Sequence, residues 1–332
     1  MVTEVELFDD LDAVERDAGE ALGRAAQPSL FDRLDWFRLV AAHCPPPGKL
    51  VVARSREGGR RAWLFLTVDR RKARALASWY SLRFGAIGDL GVLPAIARAL
   101  KFGGITEVVL DPLAHIAPLR EAFREAGWLT FVQPATVSWQ IATDGMDFAG
   151  YWASRPSRLR NTAERKAKAA GLRIAVHRGF DEAAWSDYEA VYRASWKPDE
   201  GAPGFLRALA EQEGAAGTLR LGIARQGEEP VAAQIWLIEN GEAVIHKLAH
   251  VEQARPLSAG TLLSKAMFRE AIDVDHVRRI DFGTGDDAYK RHWMQTSATL
   301  WRLAAYNPAT LRGLIGAARA AASVLVGRVR SR

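Results

Sequence analysis

Between Glu242 and Trp293 the chain runs through strand, loop, helix, strand and glycine turn, and this order confines it to the α/β class. Glu242 to His250 alternates apolar and polar side chains as a strand does, and the Asn240-Gly241 turn precedes it. A loop from Pro256 to Gly260 leads into a helical run from Thr261 to about Ile272, and Arg278 to Phe282 reads as a second strand. Gly283 and Gly285 then allow backbone conformations closed to other residues, and Asp286-Asp287 are suited to open a helical turn carrying Tyr289, Lys290 and Trp293. Carboxylates and an ammonium group thereby meet at a strand end, where ligands of α/β proteins tend to bind. A plain glycine turn with solvated charges is the competing reading.

The chain of 332 residues is long enough for about two domains, and with 48% apolar and 25% charged residues it has the balance of an ordinary globular protein. Cys44 is the only cysteine, which rules out an intramolecular disulfide and Cys-rich zinc sites and points to a reducing compartment. The acidic start Met1-Val2-Thr3-Glu4-Val5-Glu6 lacks the features of a signal peptide, and no stretch supplies the ~20 apolar residues of a membrane span, so a cytoplasmic location is expected. The net charge of +6 is local: residues 155–173 carry +6 and residues 312–332 carry +5, which leaves −5 for the rest. Two separate anionic contacts suit this pattern better than a general polyanion surface, and no DNA partner is expected.

Before residue 147 the pattern predicts helices over 8–26 and 31–43, a hairpin of strands over 49–55 and 61–69, a strand near Val108-Val109-Leu110 and a helix over 119–127. Beyond it the pattern predicts helices over 148–152, 157–170 and 181–195, and strands over 172–178, 219–226, 230–239, 242–250 and 298–306. From 309 to 332 apolar residues interleave with arginines. That tail reads as a helix packed on its own domain, with a weak contact to an anionic membrane surface as the alternative.

The run Asp-Phe-Gly-x-Gly-Asp-x-x-Tyr-Lys-x-x-Trp from Asp281 to Trp293, with the strand, glycine loop and helix before it, resembles the acyltransferase core of the GNAT superfamily. It looks most like the branch that holds the CelD-type acetyltransferases of bacterial polysaccharide loci and the Fem peptidyltransferases, and Ser195-Trp196-Lys197 and Arg158-Leu159-Arg160-Asn161 match the same pattern. The resemblance is specific from about Asp147 to Trp301 and diffuse before that. It implies an α/β (α+β) protein of two GNAT-like acyl-CoA N-acyltransferase domains in tandem, with mixed central sheets flanked by helices. A degenerate domain would cover residues 1–146, the acyltransferase domain residues 147–308 and a basic amphipathic tail helix residues 309–332.

The resemblance also distributes roles. Arg255-Pro256-Leu257-Ser258-Ala259-Gly260, with Thr261, matches the Arg/Gln-x-x-Gly-x-Gly/Ala loop that holds the CoA pyrophosphate at a helix N-terminus, except that Ser258 replaces the first glycine. Lys290 matches the Fem lysine placed at the reacting carbonyl, where a fixed cation stabilises developing negative charge. Asp281, Asp286 and His246 are candidates to accept a proton from the amine, although a strand histidine is more often structural. His246 and His250 lie four apart on a strand, which makes no metal site, so no metal is expected. Trp196, Lys197, Tyr289, Trp293 and Arg160 are the candidate acceptor contacts. The expected activity is transfer of an acyl group, acetyl above all, from acyl-CoA to a primary amine of a small molecule or sugar, in cell-envelope or exopolysaccharide synthesis. The alternatives are Fem-like transfer from aminoacyl-tRNA and a catalytically silent protein that binds RNA or a ligand.

Overall fold

A computed structural model describes residues 3–330, with side chains described up to residue 323. The tail side chains of Arg328, Arg330 and Arg332 lie outside the described residues. The chain forms two compact units: one runs up to Thr136 and takes in Thr299 onward, and the other is Val137–Ala298. Each holds a mixed set of paired strands flanked by helices, an α/β architecture.

The first unit contains β1 (Glu4–Phe8), α1 (Leu11–Ala18), α2 (Leu34–His43), β2 (Lys49–Glu57), β3 (Arg60–Asp69), β4 (Lys72–Ala75), β5 (Ile87–Gly88), α3 (Leu93–Phe102), β6 (Glu107–Leu113), α4 (Ala117–Glu125) and the start of β7 (Leu129–Ala142). The helix expected over 8–26 is shorter, because Gly19 turns out at φ 56° and the chain continues only as a 3-10 turn. Its first residues are instead the end of a strand, β1, whose acids serve a buried cation. The Arg54 guanidinium is 4% exposed, 2.5 Å from the Glu6 carboxylate and 3.1 Å from that of Asp17. Phe37 of α2 stacks on Phe65 of β3 with ring centroids 3.8 Å apart, which fixes the helix on the sheet.

The second unit adds α5 (Phe148–Ala153), α6 (Ser157–Ala170), β8 (Leu172–His177), α7 (Glu182–Arg193), α8 (Pro203–Ala215), β9 (Leu219–Gln226), β10 (Glu229–Glu239), β11 (Glu242–His250), α9 (Ala259–Arg269), β12 (Arg279–Thr284) and the start of β13 (Thr296–Tyr306). Its strand order is β7-β12-β11-β10-β9-β8. In β10 every residue from Val231 to Ile238 is buried, as a strand covered on both faces requires. One face receives α9, where Trp236 meets Phe268 edge-on at 5.0 Å and Gly222 leaves room for Met267. The other receives α7, whose Trp185, Tyr188 and Val191 are buried. Asn240 and Gly241, at φ 53° and 78°, make the tight turn that their sequence demands.

Two irregularities interrupt this sheet beside the strand ends. Ile235 pairs with Lys247 but Trp236 pairs with Ile245, so His246 is an extra residue at a bulge. The parallel ladder of β11 and β12 ends at Val244↔Asp281, although β11 runs on to His250 and β12 to Thr284.

After β13 the chain turns into α10 (Leu311–Arg330), which belongs to the first unit. Asn307 is 1% exposed and donates to the carbonyls of Lys101 and Ile105, while the Thr310 hydroxyl accepts from the Gly313 N–H at 3.0 Å as a helix cap. A Cβ at Gly313 would lie 2.0 Å from the Asn307 carbonyl oxygen. Gly313→Ala is therefore expected to lower the stability of the first unit by roughly 1–3 kcal/mol, measured by urea unfolding. An unchanged midpoint would mean that the helix is not held at this approach.

Candidate active site

The turn after β12 is built around two buried charges. Gly283 and Gly285 sit at φ 67° and 107°, conformations that other residues rarely take. The Asp281 carboxylate accepts from the Ser138 hydroxyl at 2.6 Å, the Gln140 amide at 3.0 Å and the Gly283 N–H at 2.8 Å. Lys290 is 4% exposed and its Nζ donates to the Thr284 carbonyl at 2.5 Å, 3.7 Å from the Asp287 carboxylate and 5.5 Å from the Phe282 ring centre. Burial pushes the Lys290 ammonium below the usual lysine range, and the Asp287 carboxylate opposes this. The surface lysine of the plain-turn reading is thus a buried one. The helical turn expected from Asp286-Asp287 is a single 3-10 turn, Lys290–His292, and the bond that starts it runs from the Lys290 N–H to the Asp287 backbone carbonyl. Asp286 accepts from the Trp139 indole at 3.1 Å and is largely exposed.

A cavity of about 470 Å³ lies beside this turn, at the N-terminus of α9. Arg255, Ser258, Ala259, Gly260 and Thr261 line it, together with Trp196, His250, Tyr289 and Trp293. Ser258 does not cap α9 with its side chain; it stands at φ 56°, and its N–H donates to the Arg255 carbonyl. A serine thus holds a left-handed conformation that a glycine would adopt freely, at a small conformational cost. Gly260 is needed for a close approach, since a Cβ there would meet His250 Nδ1 at 3.3 Å. The His250 ring rests 4.2 Å from Trp196, and burial holds its pKa below the ordinary histidine value.

A second cavity of about 270 Å³ opens where α7 gives way to α8. Trp185, Tyr188, Tyr192, Lys197 and Glu200 are among its walls. Lys247 pairs with Glu200 at 3.0 Å, 5.7 Å from the Tyr192 ring centre. Burial, reinforced by the Glu200 carboxylate, pushes the Tyr192 hydroxyl up to about 12. Lys197 is pulled down to about 8, first by burial and then by the Lys247 charge, against the pull of Glu200 and Asp287.

The structure brings Arg255, Ser258, Ala259, Gly260, Thr261, Trp196, Tyr289 and Trp293 to one cavity and sets Lys197 at the other. Trp293 is 5% exposed and stacks 5.1 Å from Phe268, so most of its ring belongs to the core. His246 is buried at the bulge and lines neither cavity. Arg160 is turned to the Arg155 carbonyl at 3.2 Å. Arg155 itself is the residue that sequence reasoning misses: it is buried and donates to the Trp293 and Met294 carbonyls at 2.9 and 3.0 Å, beside the Tyr151 hydroxyl on the same Trp293 carbonyl. At the head of a basic run it reads as surface charge. Among the described residues no group of three or more His, Cys, Asp or Glu side chains is placed to hold a metal, and no helix is long and apolar enough to cross a membrane.

Residues 153–291 match the family model described as Acetyltransferase (GNAT) domain. The second unit therefore carries a GNAT domain. Solved structures agree on the fold. FemX is similar at 10% identity and a TM-score of 0.55, over 81% of this chain and 94% of that one. A tandem GNAT protein from the clavulanic acid biosynthesis pathway is similar at 13% identity and 0.52, over 91% and 98%. The C-terminal domain of a putative lysylphosphatidylglycerol synthetase from Agrobacterium fabrum is similar at 13% and 0.54, over 76% and 83%. The comparison with curated proteins gives no match. Residues 153–291 thus carry a GNAT domain, and the fold of the chain is shared with FemX and with the tandem GNAT protein.

The left-handed serine gives a direct check on the loop. Ser258→Gly is expected to retain the fold and to raise stability slightly, by up to about 1 kcal/mol, while Ser258→Val lowers it, both read from thermal unfolding. Equal stability of the glycine and valine variants would contradict the backbone conformation described.

Proposed function

We propose that the chain is an N-acyltransferase that moves an acyl group, acetyl above all, from acyl-CoA to the primary amine of a small molecule or sugar. The observation that carries this reading is the cavity at the start of α9, lined by Ser258, Ala259, Gly260 and Thr261. The first N–H groups of a helix have no partner within it and face the positive end of its dipole, which suits a pyrophosphate. Arg255, 76% exposed at its side chain, adds a cation at the cavity mouth. Work in cell-envelope or exopolysaccharide synthesis rests on the CelD-like resemblance alone. A cytoplasmic site of action fits an acyl-CoA donor.

The Fem-like alternative, transfer from aminoacyl-tRNA, is favoured by one feature, the exposed cations Arg158, Arg165 and Lys168 on α6. A thermal-shift comparison separates the two donors. Acetyl-CoA at ~100 times its dissociation constant is expected to stabilise the protein by about 2.7 kcal/mol. No shift with acetyl-CoA, longer acyl-CoAs or CoA, together with aminoacyl transfer from charged tRNA, would reverse the order of the two readings.

Lys290 is proposed as the cation that steadies the developing oxyanion, held in place by the Thr284 carbonyl and the Asp287 carboxylate. Asp281 and Asp286 are proposed to fix the turn around it, and Tyr289 to wall the donor. Lys290→Met is expected to lower kcat about 100-fold or more while leaving acetyl-CoA binding nearly unchanged, because the contact is made mainly in the transition state. A variant that folds, binds acetyl-CoA and keeps its kcat would reduce Lys290 to a brace of the turn.

A further inference from the structure

We infer that the α7/α8 cavity is the seat of the amine acceptor and that Lys197 is the group that takes its proton. This rests on acyl transfer as the activity and adds to it a residue and a place for the acceptor.

Three observations converge on Lys197. Its position in the chain joins the two cavities: Trp196 lines the one at the α9 N-terminus, and Lys197, the next residue, lines the one walled by Trp185, Tyr188 and Tyr192. The walls of the two cavities are therefore continuous through this pair of residues. Lys197 is also buried enough for desolvation to be the largest cause of its lowered proton affinity, which prevails over the attraction its Nζ has for the Tyr192 and Trp196 rings, each 5.9 Å away. Finally, it is crowded by like charge. Lys247 on β11 and Lys290 on the turn after β12 both disfavour its protonated form, and Glu200 and Asp287 favour it. Glu200 is already engaged by Lys247 at 3.0 Å, and Asp287 is 60% exposed, so burial and the two lysines prevail. The other charged or titratable groups facing it are Glu189, Tyr192 and Arg193 from α7, Asp199 beside Glu200, and His250 from β11, whose own pKa the Lys197 charge lowers. The result is a lysine lowered to about 8, of which a minor fraction, roughly a tenth at pH 7, is neutral and able to accept a proton.

The step balances without a further reactant. A protonated primary amine R–NH3+ gives one proton to the neutral Lys197 Nζ. The freed nitrogen attacks the thioester carbonyl, a C–N bond forms, the C–S bond breaks, and the departing thiolate takes the second proton of the nitrogen. Lys197 returns its proton to solvent. Among the cavity walls, Glu189 and Glu200 favour a cationic acceptor, and the three aromatic rings favour one with a flat or apolar body against them.

Two arms test this on the full chain. In the first, trace labelling of all lysines with an amine-reactive anhydride at a series of pH values, read by peptide mass spectrometry, gives a titration for Lys197 that needs no acceptor. A half-point near pH 8 is expected; a half-point in the ordinary lysine range near ~10.4 overturns the proposal. In the second, kcat is measured from pH 6 to 10 with acetyl-CoA and a panel of primary amines. Lys197→Met and Lys197→Arg are expected each to lose about 100-fold at neutral pH, since arginine keeps the charge but does not give up a proton. Full activity in Lys197→Arg overturns the proposal, because the charge alone would then suffice. The thermal shift with acetyl-CoA is recorded for all three proteins. Its absence in the wild type counts against the acyl-CoA reading, whereas a normal shift with unchanged kcat in both variants counts against Lys197.

Discussion

The turn that carries Lys290 begins where two neighbouring strands have stopped pairing. β11 and β12 share a ladder only as far as Val244↔Asp281, and both then continue. Backbone groups that leave a ladder inside a protein need other partners. At this place the partners are charged side chains: the Asp281 carboxylate takes the Gly283 N–H, and the Lys290 ammonium takes the Thr284 carbonyl. Two buried ions of opposite sign therefore complete the hydrogen bonding of a β-strand end. The same turn holds the Lys290 ammonium in place, and Gly283 and Gly285 take positive φ on the path that brings Lys290 back to the Thr284 carbonyl.

The surroundings extend this constraint. The bulge at His246 shifts the register of β11 before Lys247, and the Lys247 and Lys290 charges act on Lys197 against those of Glu200 and Asp287. Burial first, and then the neighbouring lysine charges, lower the proton affinity of Lys197. Chemistry that must turn an ammonium into an amine near neutral pH is well served by such a group.

Much of this was legible in the sequence where local chemistry and tertiary structure agree. The strands β9 to β12 and the helix α6 come from alternation, from the Asn240-Gly241 turn and from Gly171 at φ 56°. The GNAT resemblance of the segment from Asp147 to Trp301 rests on the same residues that the family model matches, 153–291. Other features depended on distant partners. β1 is acidic because Arg54, far along the chain, lies buried beneath it. α8, with Pro203, Gly204 and Gly214, has weak helix propensity and is held by burial of Phe205, Leu206 and Leu209. At the site, the loop 255–260 and Tyr289, which the resemblance singles out, line one cavity, but the sequence did not reveal that Lys290 is buried, that Trp293 sits mostly in the core or that the Lys197 and Lys290 ammonium groups have lowered proton affinity. Each of these is a property of three-dimensional surroundings.

On the proposed function, the start of α9 receives the phosphates of an acyl-CoA, and everything else about the reaction depends on that contact. Amide hydrogen exchange, followed residue by residue with and without acetyl-CoA, addresses it most directly. The amides of Ala259, Gly260 and Thr261 are expected to exchange markedly more slowly when acetyl-CoA is bound, with Ser258 and Arg255 protected to a lesser degree. Protection confined to other segments, with these amides unaffected by saturating acetyl-CoA, would contradict it.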